Sequence, residues 1–367
     1  MQLQNHTVLG IYSDPAALSV EIAVIETDGL DIKKVHQTHI SPYPYELRES
    51  LLKHLSHKEE DPNLFNTLGH DVTQFFIQEA QNVLKEIAPL NIHIDLIGLS
   101  GHTAQHNPEQ KVHLTFGNAQ DIANALKIPV VHHFVKEDLN AGGVGSPLLA
   151  TFWATLCQKM EKPLAVVGLG GVTHVVYIGP VGELLGFDIG AGLALLDNWV
   201  FKKTGQELDF DGLLAAKGHV DERVLKALMH FSYLQAKPPK SVRKIDFAPM
   251  MEQVEGLSAA DGAATLTAFS SQSIIEAQKF LPATPEQWIF IGGGTYNATL
   301  MLQLAQALPN MVTAKQVLPY KEALNAMGFA FVATRYLMGL PISFPTTTGV
   351  SEPFSGGELT HPDESTP

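Results

Sequence analysis

Short apolar runs broken by small and polar residues set the rhythm of the first third of the chain. Thr7 to Tyr12 and Val20 to Glu26 read as strands, because β-branched and aliphatic residues cluster there. The turn Ser13-Asp14-Pro15-Ala16-Ala17-Leu18-Ser19 joins them, and Asp28-Gly29 turns the chain again. The spacing then lengthens into helices near Pro44 to His57 and from about Asn66 to Ile87. Ile92 to Leu99 is predicted as a strand running into a polar loop, Ser100 to Pro108. A short strand at Val112 to Phe116, a helix at Asp121 to Lys127 and a buried strand at Val130-Val131 follow. Asp138 to Pro147, with Gly142, Gly143 and Gly145, reads as a glycine-rich loop.

The same grammar then restarts. Leu164 to Thr173 is strand then tight turn, His174 to Ile178 is a partner strand, and Gly182 to Asp188 is the next. Strand, small-residue turn, strand therefore occurs twice, without letter-by-letter repetition. Helices dominate from Asp211 to Leu281, interrupted at Pro238-Pro239-Lys240-Ser241. Trp288-Ile289-Phe290-Ile291 is a buried strand that runs into Gly292-Gly293-Gly294 and then a helical pattern from Ala298. Strand, glycine turn, helix can seat an anionic or flat group against bare backbone and a helix N-terminus; it can equally be a tight turn needing positive φ. Lys321 to Met338 forms a long helix, and the tail from Ser351, rich in Gly, Pro, Ser and acids, is expected to fray. The expected fold class is α/β. Two similar halves, 1–130 and 131–350 (the second with a helical insertion), face each other across one cleft, and 351–367 is a flexible tail.

Composition narrows the function. Hydrophobic residues make up 45% of the 367 residues and charged residues 17%, as in a packed globular enzyme. The net charge of −14 and the lack of a long Lys/Arg run argue against nucleic acid as a partner. No apolar run is long enough for a bilayer. The one cysteine, Cys157, lies in an apolar stretch and reads as a buried thiol in a reducing compartment. Met1 to His6 lack the basic-then-apolar order of a signal peptide, so a cytoplasmic protein is expected.

Several segments together carry a family resemblance. They are Asp138 with Ala141-Gly142-Gly143 and Gly145-Ser146-Pro147-Leu148, then Gly186-Phe187-Asp188-Ile189-Gly190-Ala191-Gly192 and Pro238-Pro239-Lys240-Ser241. Gly292-Gly293-Gly294 with Asn297, and Gly339-Leu340-Pro341 with Pro345, Thr348 and Gly349, complete the set. In this order and spacing, from about Val8 to Pro362, the chain resembles the anhydro-N-acetylmuramic acid kinases of peptidoglycan recycling. The resemblance implies two actin-like, ribonuclease H-like domains of the acetate and sugar kinase/Hsp70/actin superfamily. It implies ATP-dependent opening and phosphorylation of a 1,6-anhydro amino sugar, with magnesium. Asp188 matches the catalytic aspartate, a general base for the attacking water. Gly190, Gly192, Gly292, Gly293, Gly294 and Asn297 fall at nucleotide-binding positions. His106, Asp138, Gly142 and Gly143 fall at substrate positions. Read alone, Asp188 is also a turn aspartate after a strand.

The polar cleft positions depart from the pattern. The family's Met-Ser-Gly-Thr-Ser-Leu-Asp-Gly turn is Tyr12-Ser13-Asp14-Pro15-Ala16-Ala17-Leu18-Ser19 here. Asp14 brings negative charge toward a phosphate, Pro15 removes an N–H, and Leu18 replaces a carboxylate. Ser-His-Gly-Gln-Thr becomes Leu99-Ser100-Gly101-His102-Thr103, and the arginines before Asp138 become Val135, Lys136 and Glu137. Asn-Ile-Gly-Gly-Ile-Ala-Asn becomes Gly168 to His174, Asp-Thr-Gly-Pro-Gly-Asn becomes Asp188 to Leu193, and a helix glutamate becomes Asn325. Two functions follow from different classes: a kinase with altered phosphate contacts, or an impaired relative that binds sugar or nucleotide, as a homodimer or paired with an active homologue. Sixteen histidines raise the question of a metal. None of His102, His106, His113 or the pair His132-His133 has ligand spacing on a predicted helix, so no metal site is expected. Lys202, Lys203 and Lys240 are expected in solvent, with an anchoring role open for Lys240. Phe75, Phe76 and Phe329 are expected in the core.

Overall fold

The computed structural model describes residues 4–56 and 62–364. In chain order, strands β1 (His6–Ser13), β2 (Ser19–Thr27) and β3 (Ile32–Pro42) precede helices α1 (Tyr45–Ser56) and α2 (Pro62–Ile87). Then come β4 (Leu96–Leu99), β5 (His102–Asn107), β6 (Val112–Phe116), α3 (Ala119–Leu126), β7 (Val130–His132), α4 (Phe134–Asn140) and α5 (Ala150–Leu156). The second stretch holds β8 (Leu164–Leu169), β9 (Thr173–Ile178), β10 (Leu184–Gly190), α6 (Ala194–Thr204), α7 (Glu222–Met229), α8 (Met251–Val254) and α9 (Ala259–Ala277). It ends with β11 (Gln287–Ile291), α10 (Ala298–Ala307), β12 (Met311–Thr313) and α11 (Ala314–Val317). The chain closes with α12 (Leu324–Leu337) and β13 (Glu358–Thr360).

These elements form two compact units. Unit 1 comprises 1–156, 320–345 and 349–367; unit 2 comprises 157–319 with 346–348. The large sheet of unit 1 has the order β13-β7-β4-β1-β2-β3, and the sheet of unit 2 the order β10-β9-β8-β11-β12. In each, three strands form an antiparallel meander and the next strand joins parallel beside the first. A further parallel strand completes each set, β7 on β4 and β12 on β11. The repeated strand–turn–strand grammar is thus a repeated ribonuclease H-like sheet order.

Each unit has its own core. In unit 1, α2 turns Leu68, Val72, Phe76, Ala80, Val83 and Ile87 onto the sheet, a helical period of buried positions. Phe76 is core as expected, and Phe329 stacks on Tyr12 with ring centres 5.9 Å apart. In unit 2, Trp199, Phe247 and Phe269 anchor one cluster, and Val167, Phe187, Trp288 and Phe290 another. Cys157 is fully buried, and burial pushes its thiol up to about 12, which fits the inert role expected.

Helix α12 lies against bare backbone. A Cβ on Gly10 of β1 would meet the Ala326 carbonyl oxygen at 1.8 Å, and one on Gly98 of β4 would meet that of Phe329 at 2.2 Å. The helix is fixed at both ends. The half-buried Glu21 carboxylate accepts from Asn325 N and Ala326 N at its N-terminus, at 3.1 and 3.4 Å, where negative charge is favoured. Near its C-terminus the buried Arg335 donates to Gly29 O at 2.7 Å and Pro341 O at 2.9 Å.

The structure corrects four expectations. The division falls at 156/157 rather than 130/131, because β7, α4 and α5 continue unit 1, and the chain returns to that unit at 320. Ser100 to Pro108 is not a loop: β5 pairs with β6 as a hairpin whose side chains are mostly polar, so alternation gave no strand signal. Asp138 sits on α4, ahead of the glycine loop. The tail is held within the described residues, since Glu358 to Thr360 pair antiparallel with β7 and Asp363 N donates to Asn124 Oδ1 at 2.7 Å.

The glycine contact gives a direct test. Gly10→Ala should destabilise unit 1 by at least about 2–3 kcal/mol, because the clash is with helix backbone and no side chain can rotate away. Urea unfolding monitored through the buried aromatic residues measures it; a change under about 0.5 kcal/mol would show that α12 does not hold this position in solution.

Candidate functional site

Unit 2 positions Asp188 at an irregularity in its sheet. The β9–β10 register shifts between Asp188 and Gly190, a bulge of the kind that re-aims side chains at functional sites. The carboxylate is 3% exposed. Its Oδ2 accepts from Ser241 Oγ at 2.7 Å and from Val242 N at 3.2 Å. Its backbone is gripped as well: Asp188 N donates to Lys240 O at 3.0 Å, and Tyr233 Oη donates to Asp188 O at 2.8 Å. The Pro238-to-Ser241 break therefore anchors the aspartate, with Tyr233 as an anchor the sequence gave no cue for.

Lys240 is not in solvent as expected. It is 7% exposed, donates to Tyr233 O at 2.9 Å, and lies over the rings of Tyr233 and Phe280 at 4.6 and 4.8 Å. Burial, with Lys279 nearby, lowers its amine to about 8, against the pull of Asp188. His174 lies opposite both Asp188 and Gly168 in the sheet. A Cβ on Gly168 would sit 2.2 Å from His174 Cε1, so the imidazole fills the room that Gly168 leaves. Two departures from the resembled pattern are thus one exchange of bulk. Burial keeps that imidazole below its ordinary range.

The glycine positions divide into packing and open ones. Gly192, at φ 52°, would place a Cβ 2.3 Å from Gly170 O, and Ser270 Oγ donates to its carbonyl. Gly292, at φ 90°, and Gly294 lie against Leu169 at the end of β8. Gly190 has ordinary contacts at 3.4 Å, and Gly293 has none within 4 Å, so Gly293 leaves backbone open to a ligand. Asn297 caps α10, its Oδ1 accepting from Leu300 N at 2.9 Å. Its side chain is thereby committed to the helix.

Unit 1 carries the other candidates. Asp138 is fully buried; its Oδ1 accepts from Gly145 N at 2.7 Å and its carbonyl from Gly143 N at 2.9 Å. A Cβ on Gly143 would fall 2.1 Å from that Oδ1, so the loop folds around the carboxylate. Gly142, at φ 92°, faces open space. His106 reaches the same loop: a Cβ on Gly145 would lie 3.3 Å from His106 Cε1, and His106 Nδ1 is 3.2 Å from His113 Nδ1. The four predicted substrate positions are brought together, with Asp138 as the organiser of the loop.

The β1–β2 turn in unit 1 is closed on itself. Asp14 N donates to Ser19 O at 3.0 Å, Ala16 N to Asp14 Oδ1 at 2.7 Å, and Ala17 N to Asp14 O at 2.9 Å; Pro15 has no N–H. Every N–H from Asp14 to Ala17 is spent inside the turn. Ser13, the retained serine, is 2% exposed and joins Tyr43 Oη at 2.7 Å and His102 Nδ1 at 2.8 Å. Leu18 is 43% exposed. The Asp14 carboxylate takes the Ala16 amide for itself.

His132 and His133, which carry no ligand spacing in sequence, meet Glu358 through a strand end and a cross-strand pair, and the ligand atoms of the three lie within 4.8 Å of one another. Burial lowers His132 to about 4 and His133 below its ordinary range.

A model of the anhydro-N-acetylmuramic acid kinases matches residues 6–362. An anhydro-N-acetylmuramic acid kinase of Rhodopseudomonas palustris (strain BisB18) is 35% identical over 367 residues, covering 97% of this chain and 100% of that protein. One of Acidiphilium cryptum (strain JF-5) is 37% identical over 360 residues, covering 96% and 98%. Among solved structures, a ROK family glucokinase from Streptomyces griseus in complex with glucose and AMPPNP aligns at 11% identity over 88% of this chain and 98% of that one, with a TM-score of 0.42. So distant a likeness adds nothing to the fold, which stands on the two sheet orders.

Two predictions follow from the site. ATP should bind at least about a hundredfold more weakly to the natural chain than to Asp14→Gly/Pro15→Thr/Leu18→Asp, since two charge-assisted hydrogen bonds of about 1.5–3 kcal/mol each are lost. Micromolar, magnesium-dependent binding by the natural chain in calorimetry would contradict it. The second concerns pH. Between about 8 and the ordinary 10.5, the unfolded Lys240 amine holds a proton that the folded one has released. Stability should therefore rise with pH across that window, relative to Lys240→Met. A flat difference between the two unfolding profiles would place the amine in water.

Proposed function

The chain belongs to the anhydro-N-acetylmuramic acid kinase family, and on that footing we propose that it acts on a 1,6-anhydro amino sugar with Asp188 as general base. The observation that carries this reading is the Asp188 carboxylate, set at a sheet bulge and oriented by Ser241 and Val242. In the reaction, water attacks the anomeric carbon and yields its proton to Asp188. The C1–O6 bond opens, and O6 takes the γ-phosphoryl of ATP as ADP leaves. A base positioned this way contributes about 10²–10⁴ in rate. The His106 and Asp138 loop of unit 1 is the proposed contact for the sugar. Gly293 of unit 2 is the proposed backbone approach for the nucleotide. A cytoplasmic place in peptidoglycan recycling fits this substrate.

ATP and magnesium come with the family's reaction. The β1–β2 turn does not fit a magnesium–phosphate pair: its one carboxylate accepts from Ala16 N, and Leu18 offers no side-chain oxygen. That turn therefore contributes no step. The same observation favours a second reading, a sugar- or nucleotide-binding relative that pairs with an active homologue.

Turnover of ATP with 1,6-anhydro-N-acetylmuramic acid decides between them. Asp188→Asn should lower turnover by about 10²–10⁴ and leave folding intact, since the amide oxygen can still accept from Ser241 and Val242. Unchanged turnover would remove the base assignment. Asp138 would not replace it, being enclosed by its own loop. If the natural chain is silent, activity recovered by Asp14→Gly/Pro15→Thr/Leu18→Asp would show that only the phosphate grip is missing. Continued silence would support the binding role.

A further inference from the structure

We propose that His132, His133 and Glu358 form a site for a divalent transition-metal ion of the zinc class, set in the wall of a cavity in unit 1. Their ligand atoms all lie within 4.8 Å of one another. Convergence is built into the backbone. Successive residues of a strand point to opposite faces, so His132 and His133 would diverge in a regular β7. Instead His133 adopts φ 59° and ψ 25°, a left-handed conformation uncommon outside glycine, and its ring centre comes to 4.2 Å from that of His132. Strain of this kind persists where the surroundings require it, and it collects at ligand sites. Glu358 is the direct antiparallel partner of His132, which puts both side chains on one face. Gly356 and Gly357, at φ 52° and 112°, steer the chain into that pairing.

The chemistry of the set is specific. Two imidazoles and a carboxylate suit zinc, and an open fourth position is common in such sites. His132 Nε2 lies 2.8 Å from Thr360 Oγ1, an outer partner that orients the ring. The open side is a cavity of about 490 Å³, lined by His132, His133, Thr360, His70, Asn118 and Asp121. A metal here would tie β13 to β7 and leave a coordination position facing that cavity.

The test uses the full chain, stripped with chelator and titrated with Zn²⁺ and Co²⁺. The expected result is one ion per chain by calorimetry, and intense tetrahedral-type Co²⁺ absorption in the visible. His133→Asn, which tolerates the left-handed backbone, and the isosteric Glu358→Gln should each weaken binding at least about tenfold. His219→Ala, at a fully exposed imidazole, should leave it unchanged. Hydrogen exchange of Glu358 to Thr360 should slow when zinc is added to the natural chain and not to His133→Asn. Thermal melts without metal establish that both variants fold. No stoichiometric binding by the natural chain, or equal affinity in folded His133→Asn and Glu358→Gln, would overturn the site.

Discussion

A helix in contact with bare strand backbone is the constraint on which unit 1 rests. Gly10 and Gly98 leave no side chain between β1, β4 and α12, so the helix sits closer than any Cβ would allow. Everything along it then has a fixed depth. Phe329 meets Tyr12, Asn325 meets Glu21, and Arg335 reaches the Gly29 turn. A carboxylate at the N-terminus and a guanidinium near the C-terminus complement the helix dipole, and each is bonded to backbone groups around it.

Unit 2 relies on close backbone contact as well. Glycines that allow close backbone contact stand where the fold needs them, at Gly192, Gly292 and Gly294. In unit 1 the β1–β2 turn spends its own donors internally. Asp14 behaves toward Ala16 as an internal anion, and the exposed Leu18 carries no charge to the opening. His174 fills the room left at Gly168, a repair by volume rather than by chemistry. Asp188, by contrast, keeps donors on its carboxylate and on its backbone.

Much of this was legible in the sequence. Both strand–turn–strand units and the strand before the triple glycine were legible, because runs of β-branched residues and glycine breaks are local signals; the third strand, Ile32–Pro42, was not. The effect of Asp14 and Pro15 was readable from N–H and charge alone. What escaped depended on distant pairing. Strand β5 is mostly polar along its length, so no alternation marked it, although its partner β6 was legible. The return of 320–345 to the first unit rests on the glycine-backed contact, which no window of residues reveals. Lys240 was misjudged because its burial comes from the rings of Tyr233, seven residues back across an irregular segment, and of Phe280, forty residues on. His132 and Glu358 lie far apart in the chain and meet only through register.

The split of unit 1 around unit 2 has a consequence for biosynthesis. When Leu156 leaves the ribosome, β1 and β4 are complete, but the helix that covers Gly10 and Gly98 has yet to be made. At about 5–20 residues per second, that cover arrives on the order of ten seconds or more later. Unit 2, nearly continuous in the chain, can close first. The nascent first sheet waits with an apolar face bare. Chaperone occupancy during translation should therefore centre on the interval between the fifth helix and the last.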